Sequence, residues 1–264
     1  MTWGDGGWLV LALAGLLGLA VGSFLNVVVW RVPRGESVVR PPSACPRCGH
    51  AIRGRDNVPV VSWLLLRGRC RDCATPISAR YPLVESATAV AFVLVVVRFG
   101  VSAAVPAFAY LAAIGIALAL IDLDVRRLPD AIVLPSYPVT AVLLAVASWG
   151  TGDWAALARA GIGAVALAFG YFVVRVAYPA GMGFGDVKLS GILGGALAWL
   201  GWGAFAVGVF SAFLVGGVVS VLLLVTGRVT RKSAVPFGPW MILGAAIGVA
   251  AGEPLWTAYL GLMA

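Results

Sequence analysis

Long apolar runs separated by short polar stretches make up most of this chain. The runs fall at about 8–30, 81–99, 102–121, 131–149, 155–177, 189–201, 203–225 and 237–251. Most of them approach the length of about 20 residues that an α-helix needs to cross a bilayer. The run at 189–201 is shorter, and we expect it to be tilted or to continue into the preceding loop. The pattern therefore predicts eight helices.

The composition agrees with this pattern and excludes a soluble domain. Of the 264 residues, 61% are hydrophobic and only 11% are charged, and the mean hydropathy is +0.99. A soluble domain carries about 25% charged residues, and a transmembrane barrel would show short alternating segments instead. We predict an all-α polytopic membrane protein with about eight transmembrane helices. The first run is expected to span the membrane rather than to be a removable signal peptide, because no basic segment precedes it.

Positive charge is concentrated in the polar stretch 31–80. Ten arginines against three acids leave a net charge of +7 there, out of +8 for the whole chain. Such loops stay in the cytoplasm, near anionic lipid. Alternation from this loop then places both termini outside and 121–130, 178–188 and 226–236 inside. Nucleic-acid binding is the competing interpretation, but aromatic residues are not interleaved with these arginines, and we expect no nucleic-acid partner.

The chain is therefore expected to have three parts. A first transmembrane helix covers 1–30, a cytoplasmic loop covers 31–80, and a transmembrane core of about seven helices covers 81–264. Six prolines in the loop exclude a long helix there.

All four cysteines lie in that loop, as CPRC at 45–48 and CRDC at 70–73. Two C-x2-C pairs separated by 21 residues are typical of a tetrahedral zinc site. The alternatives are two disulfides, which a reducing cytoplasm disfavours, or four idle thiols. We predict a structural zinc ion with four ligands: Cys45, Cys48, Cys70 and Cys73. It would hold the loop folded and take no part in catalysis, because no coordination position stays open. His50, the only histidine, could replace a ligand, but a solvated loop position is the simpler interpretation.

Two acidic clusters stand at the predicted cytoplasmic edge of the membrane. In IDLDVRRLPD at 121–130, Asp122 and Asp124 close an apolar helix, and GMGFGDVK at 181–188 contains Asp186. An ionisable group beside a membrane helix is costly and is a functional candidate. Two facing carboxylates can share a proton and a water. One takes a proton from the water that attacks a peptide carbonyl, and the other protonates the carbonyl oxygen and later the leaving amine.

Glycines and a lysine surround the second cluster. Gly183 and Gly185 lack a Cβ, so backbone can approach a substrate strand or a facing helix closely. Lys188 could tune the local charge or anchor the helix at the lipid headgroups. Plain structural roles stay open as well. The first cluster could be a solvated turn before Pro129, and Asp186 could be the N-cap of the next helix.

The motifs, in their order along the chain, resemble those of a known family. GMGFGDVK is similar to the motif of the GxGD aspartyl membrane proteases, and the chain as a whole resembles the bacterial type IV prepilin peptidases. The other matching segments are the two CxxC pairs, GSFLNVVVWRVPR (22–34), NVPVVSWLLLRGRC (57–70), RYPLVESATA (80–89), IDLDVRRLPD and VPFGPW (235–240).

The resemblance implies an aspartyl endopeptidase with Asp122 and Asp186 as its catalytic pair. The family's first aspartate stands seven positions before a proline, which is Pro129 here, and Asp124 is then a neighbour. The implied substrates are prepilins and pseudopilins of type IV pilus and type II secretion systems. They would be cut after the glycine that ends a short basic leader, at the cytoplasmic side of the bacterial inner membrane.

The resemblance also implies a second activity, N-methylation of the new N-terminus with S-adenosylmethionine. No residue pattern supports it independently, since no glycine-rich dinucleotide fingerprint is present. Asn26 is a candidate for this methyltransferase site, with an interhelical hydrogen bond as an equal alternative.

Two rival functions remain open at this point. Glycine-interrupted helices and intramembrane acids are also typical of transporters, although the sequence has one glycine-rich break rather than a pair. A zinc-stabilised scaffold without catalysis is the third interpretation.

Overall fold

The structure, a computed structural model, describes residues 7–179, 181–230 and 235–263. Its regular elements are helices, and within those residues β-structure is limited to two isolated bridges, Ala44↔Ala51 and Arg69↔Pro76. The helices are α1 (Gly7–Arg31), α2 (Val61–Leu65), α3 (Arg80–Phe99), α4 (Val105–Val125), α5 (Asp130–Thr151), α6 (Trp154–Ala177), α7 (Phe184–Leu200), α8 (Trp202–Val225) and α9 (Gly238–Met263), with single 3-10 turns at Val32–Arg34 and Gly54–Asp56.

All eight apolar runs are helical, and seven of these helices are long and apolar enough to cross a membrane. The exception among the eight is α7, which has 17 residues. It begins at Phe184, ahead of the apolar run at 189, so the expected continuation into the preceding loop is confirmed. The chain is a multi-pass helical membrane protein.

The described residues form two compact units. The first comprises the chain up to Val101 together with Phe108–Ala117, and the second comprises Ser102–Ala107 and the chain from Leu118 onward. The first unit thus holds α1, the cysteine-containing loop and α3, and the second holds α5 to α9 with both ends of α4.

In the first unit, small residues bring α1 and α3 into close contact. A Cβ at Gly18 would lie 2.8 Å from the Thr88 carbonyl oxygen, and one at Gly22 would lie 2.7 Å from Glu85 Cα. Asn26 follows on the same face of α1, where its Nδ2 donates a hydrogen bond to the Tyr81 carbonyl oxygen (3.2 Å). The interhelical hydrogen bond considered for Asn26 is therefore present.

In the second unit, α7 is the buried central helix. Thirteen of its 17 residues are buried, which explains why a helix at the lower limit of spanning length carries so many small residues. A Cβ at Gly194 would lie 2.6 Å from the Gly163 carbonyl oxygen of α6. The same kind of approach joins α8 and α9, where a Cβ at Gly248 would lie 2.7 Å from the Ala204 carbonyl oxygen.

Side-chain hydrogen bonds fix the carboxyl end of α7. The Arg159 guanidinium of α6 donates to the carbonyl oxygens of Ala198 (2.6 Å) and Trp199 (2.8 Å), which lie in the last turn of α7. The Trp199 indole N–H donates to Ser148 Oγ of α5 (2.9 Å). These bonds satisfy carbonyls that have no partner within the helix and hold α7, and so Asp186 in its first turn, between α5 and α6.

Candidate active site

Asp186 lies in the first turn of α7 and is 7% exposed. The N-cap is Gly183, and the Asp186 carboxylate reaches back to accept a hydrogen bond from its backbone N–H (2.9 Å). The N-cap role considered for Asp186 is therefore wrong, since it occupies the third helical position. The bond satisfies a backbone donor at the helix start, where the helix dipole also favours a negative charge.

Asp122 lies in the last turn of α4 and is 5% exposed. Its Oδ2 accepts a hydrogen bond from the backbone N–H of Gly238 (3.1 Å), the first residue of α9. The alternative prediction, a solvated turn, holds for Asp124, which is exposed. It is wrong for Asp122, which is buried. The helix ends at Val125, and the next residue, Arg126, adopts a left-handed conformation (φ 53°).

The second unit brings the two buried carboxylates together, close enough to interact electrostatically. Leu128, in the connection between α4 and α5, packs against both segments that hold them. A Cβ at Gly185 would lie 2.9 Å from Leu128 Cβ, and one at Gly238 would lie 3.4 Å from Leu128 Cδ2. The site is therefore formed by α4, α7 and α9 together with the connection between α4 and α5.

Each carboxylate is held by a glycine whose missing side chain leaves room for it. A Cβ at Gly183 would lie 3.1 Å from Asp186 Oδ2, and one at Gly238 would lie 2.7 Å from Asp122 Oδ2. Gly185 serves a different contact, against Leu128 rather than a facing helix. The contribution of Gly238 was missed in the sequence, where VPFGPW served only as a matching segment.

Lys188 is directed to α5. Its Nζ lies 2.8 Å from both carboxylate oxygens of Asp130, and the Tyr137 hydroxyl donates to the Lys188 carbonyl oxygen (2.6 Å). Lys188 therefore has an ion-pair partner within the protein and joins α5 to α7, two residues after Asp186.

The four cysteines of the first unit form one cluster that could hold a metal. Their Sγ atoms all lie within 4.8 Å of one another, and those of Cys45 and Cys73 are 3.8 Å apart. Tetrahedral zinc with Zn–S bonds of about 2.3 Å requires sulfur atoms separated by about 3.8 Å, so the arrangement fits this ion. The cysteines are free thiols, so the disulfide alternative is wrong, and the cluster consists of cysteines without His50.

The two CxxC pairs adopt the same turn. Cys45 N–H donates to the His50 carbonyl oxygen, and the Gly49 N–H donates back to Cys45. Cys70 and Thr75 repeat the first bond, and Ala74 and Cys70 repeat the second. This repetition places two thiols of each pair on the same side of a turn, as a four-thiolate metal site requires.

Ion pairs brace the same loop. Arg71 forms two hydrogen bonds to Asp56 Oδ1 (2.6 and 3.0 Å) and one to Oδ2 (2.8 Å), and Arg53 lies 3.0 Å from Asp72. The Arg71 hydrogen bonds hold the pKa of Asp56 below its usual value. Two of the arginines that we expected to face anionic lipid therefore pair with acids of the loop itself.

Comparison with known proteins matches two segments of the chain. The family model described as "Bacterial Peptidase A24 N-terminal domain" matches residues 16–99, and the one described as "Type IV leader peptidase family" matches residues 109–221. No solved structure matches the chain.

Several curated relatives carry the name "Prepilin leader peptidase/N-methyltransferase". The protein from Burkholderia pseudomallei (strain 1026b) is 38% identical over 93% of this chain and 87% of its own length. That from Aeromonas hydrophila is 36% identical over 96% and 94%, and that from Pseudomonas aeruginosa is 36% identical over 93% and 91%. On this evidence the chain belongs to the type IV leader peptidase family.

Proposed function

We propose that this protein is an aspartyl endopeptidase that removes the leader of type IV prepilins and pseudopilins and then N-methylates the new N-terminus. The observation that carries the first activity is the pair of buried carboxylates in the second unit, each held by a glycine N–H. Burying two neighbouring acids is costly for a membrane protein, and a paired acid and base is the arrangement that peptide hydrolysis requires.

In the proposed reaction, Asp122 and Asp186 share one proton. The ionised carboxylate removes a proton from a water, whose oxygen forms a bond to the scissile carbonyl carbon, while the protonated partner donates its proton to the carbonyl oxygen. The tetrahedral intermediate then collapses. The C–N bond breaks, its electron pair stays on nitrogen, and the carboxyl that took up the water's proton donates it to the leaving amine. The other carboxylate removes a proton from a hydroxyl of the intermediate as the carbonyl reforms, so that the pair again shares one proton. The glycine N–H groups keep both carboxylates oriented throughout.

The substrate assignment rests on the names of the relatives and on the membrane setting of the site. A prepilin has a basic leader followed by an apolar helix. The helix can stay in the bilayer while the leader, ending in glycine, is cut at the cytoplasmic face of the bacterial inner membrane. The +7 charge of residues 31–80 supports a cytoplasmic position for that loop. Surrounding lipid is the other partner, and no nucleic acid is required.

The second activity uses S-adenosylmethionine as methyl donor. When bound, it would supply the methyl group for the nitrogen of the new terminal amine, which would lose a proton, and S-adenosylhomocysteine would be released. Asn26, which belongs to the first unit, is proposed to be part of this site. Zinc bound by the four cysteines is proposed to keep the loop of that unit folded.

The test is mass spectrometry of a purified precursor pilin after incubation with the enzyme in lipid and with S-adenosylmethionine. Wild type should remove the leader and add the mass of one methyl group. Asp122→Asn and Asp186→Asn should leave the precursor uncut, whereas Asp124→Asn, the matched control, should cut normally.

Two results would reject the proposal. If the precursor stays uncut with wild-type enzyme, or if Asp186→Asn abolishes transport of a small solute while cleavage continues, the transporter interpretation would be favoured. Cleavage without the added mass of a methyl group would support the peptidase activity but not the methyltransferase activity.

A further inference from the structure

The first unit contains a cavity of about 690 Å3 that is lined by neither Asp122 nor Asp186. Its wall is formed by the cytoplasmic end of α1, the start of α3 and the loop that joins them. A volume of this size is in the range of small-molecule sites, about 300–1,000 Å3. The cleavage reaction uses no residue of this cavity.

A buried carboxylate, Glu85 of α3, forms part of that wall and is 7% exposed. Its Oε2 accepts a hydrogen bond from the Val60 N–H (2.7 Å). Val60 has a φ of 60°, which is strained for a β-branched residue. The loop is thus held against Glu85 in a costly conformation, and buried acids are rare unless they serve a partner.

The remaining wall offers the other groups that a nucleoside carrying an amino acid would need. The aromatic rings of Trp63 and Tyr81 provide apolar and stacking surfaces, and the amide of Asn26 provides polar atoms. Arg31 lines the loop side, where its guanidinium donates to the Ser37 and Pro41 carbonyl oxygens. The cavity is therefore lined by positive and negative charges, an amide and aromatic rings.

We propose that this cavity binds S-adenosylmethionine and that Glu85 provides the negative charge facing the ligand's positive charge. The proposal rests on the methyl-transfer half of the proposed function and names its site. S-adenosylmethionine carries a sulfonium and an ammonium against one carboxylate, so a buried anion favours it over its neutral-sulfur product, S-adenosylhomocysteine.

The experiment is calorimetric titration of the zinc-loaded, full-length enzyme with S-adenosylmethionine and, separately, with S-adenosylhomocysteine. Glu85→Gln should weaken S-adenosylmethionine binding about tenfold or more, since a hydrogen-bonded charge is lost. Leader cleavage by this variant should be unchanged. Glu253→Gln is the matched control, because Glu253 also accepts a backbone N–H, that of Ala204 (3.1 Å), but belongs to the second unit. It should bind both ligands as wild type does.

A second measurement uses the unaltered protein, so that it does not depend on the folding of a variant. Ultraviolet cross-linking of radiolabelled S-adenosylmethionine should label peptides from residues 23–85, and unlabelled ligand should compete.

The outcomes separate this proposal from the proposed function. If wild type cleaves and methylates while Glu85→Gln methylates normally, or if the label falls only on the second unit, the cavity assignment is wrong and the function stands. If wild type neither cleaves nor methylates, the proposed function itself fails. Cleavage by wild type without binding of S-adenosylmethionine overturns the cavity assignment and the methyl transfer but leaves the peptidase. Binding of a leader peptide in place of S-adenosylmethionine would assign the cavity to the substrate and overturn the proposal.

Discussion

The two units position their functional groups by different means. Between α1 and α3, the loop of the first unit has only short helical turns and two β-bridges, and its contacts are a cysteine cluster and charged pairs such as Arg71–Asp56. In the second unit, two carboxylates are placed by close helix packing and by backbone N–H groups of glycines. The first arrangement is proposed to be held by four thiolate ligands of one zinc ion, whereas many weak contacts hold the second. Single changes should therefore act abruptly in the loop and gradually in the helical core.

The largest effect is expected from removal of the metal. Structural zinc contributes about 10–16 kcal/mol of apparent binding free energy in small zinc domains, so Cys48→Ser or chelation should unfold residues 31–79. Trypsin should then cut at the loop arginines much faster than in wild type, while peptides of α5 to α9 stay protected. Arg47→Ser changes a neighbouring residue that carries no ligand atom and should keep its zinc and its resistance. Unchanged proteolysis after complete zinc loss would show that the ion pairs suffice.

The next effect concerns the separation of the two activities. Asp186→Asn should lower leader cleavage by about 10²–10⁴-fold, because general acid–base catalysis is lost while the shape of the side chain is kept. A pilin peptide that already begins at its mature residue should still be methylated at the wild-type rate. The measurement is the initial rate of each reaction, with Asp124→Asn as control. Parallel loss of methylation would show that one site serves both reactions and would remove the contrast between the units.

Gly238→Ala tests whether the backbone contact to Asp122 matters. The new Cβ would lie 2.7 Å from Asp122 Oδ2, so the carboxylate must shift although the N–H donor remains. Displacements of this size in an active site can cost about 10²-fold in rate. We expect kcat for cleavage to fall by about that factor, with little change in KM. Gly217→Ala in α8, where a Cβ meets no atom within 4 Å, should behave as wild type. Normal cleavage by Gly238→Ala would rule out a positioning role for this segment.

The same two regions show what could be predicted from the sequence. The apolar runs predicted all eight long helices, because spanning length and hydrophobicity are local properties. The cysteine spacing predicted the cluster for a similar reason, since two short turns fix two thiols each. The sequence predicted that the helix around 189–201 would be tilted or would continue into the preceding loop. It did not predict a start at Phe184, because Asp186 and Lys188 interrupt the apolar run although one is buried and the other ion-paired.

The contacts that complete the carboxylate site could not be predicted from a local sequence pattern. Asp122 and Gly238 are 116 positions apart, and the spacing around Asp122 fitted a solvated turn equally well. Only the resemblance separated Asp122 from Asp124, and only the fold showed that a backbone N–H holds it. Glu85 was overlooked because a lone acid near a helix start is normally solvated, and its burial depends on Val60 and on the packing of α1.

Smaller effects should come from the helix packing itself. A Cβ at Gly163 would clash with Ala198 Cβ and would lie 2.8 Å from the Gly194 carbonyl oxygen. Gly163→Val should therefore destabilise the second unit by about 1–3 kcal/mol, as overpacking does, and lower its thermal unfolding midpoint. Gly161→Val is the matched control two positions away, where a Cβ meets nothing within 4 Å. Equal midpoints for the two variants would mean that α6 and α7 can separate without cost, contrary to a tightly packed core.

The smallest effect is expected at Lys188. Its pair with Asp130 is partly solvated, with side-chain exposures of 28% and 55%, and such pairs contribute about 0–1 kcal/mol. Lys188→Met should leave cleavage within about fivefold of wild type, the equivalent of that energy, because the Tyr137 hydrogen bond uses only the Lys188 backbone. Asp130→Asn and the double variant Lys188→Met/Asp130→Asn complete a double-mutant cycle, measured by unfolding and by cleavage. The coupling energy between the two positions should be equally small. A loss of cleavage well beyond tenfold in Lys188→Met, restored by Lys188→Arg and without loss of stability, would instead give this charge a part in the reaction. The helical core would then depend on one strong contact rather than on many weak ones.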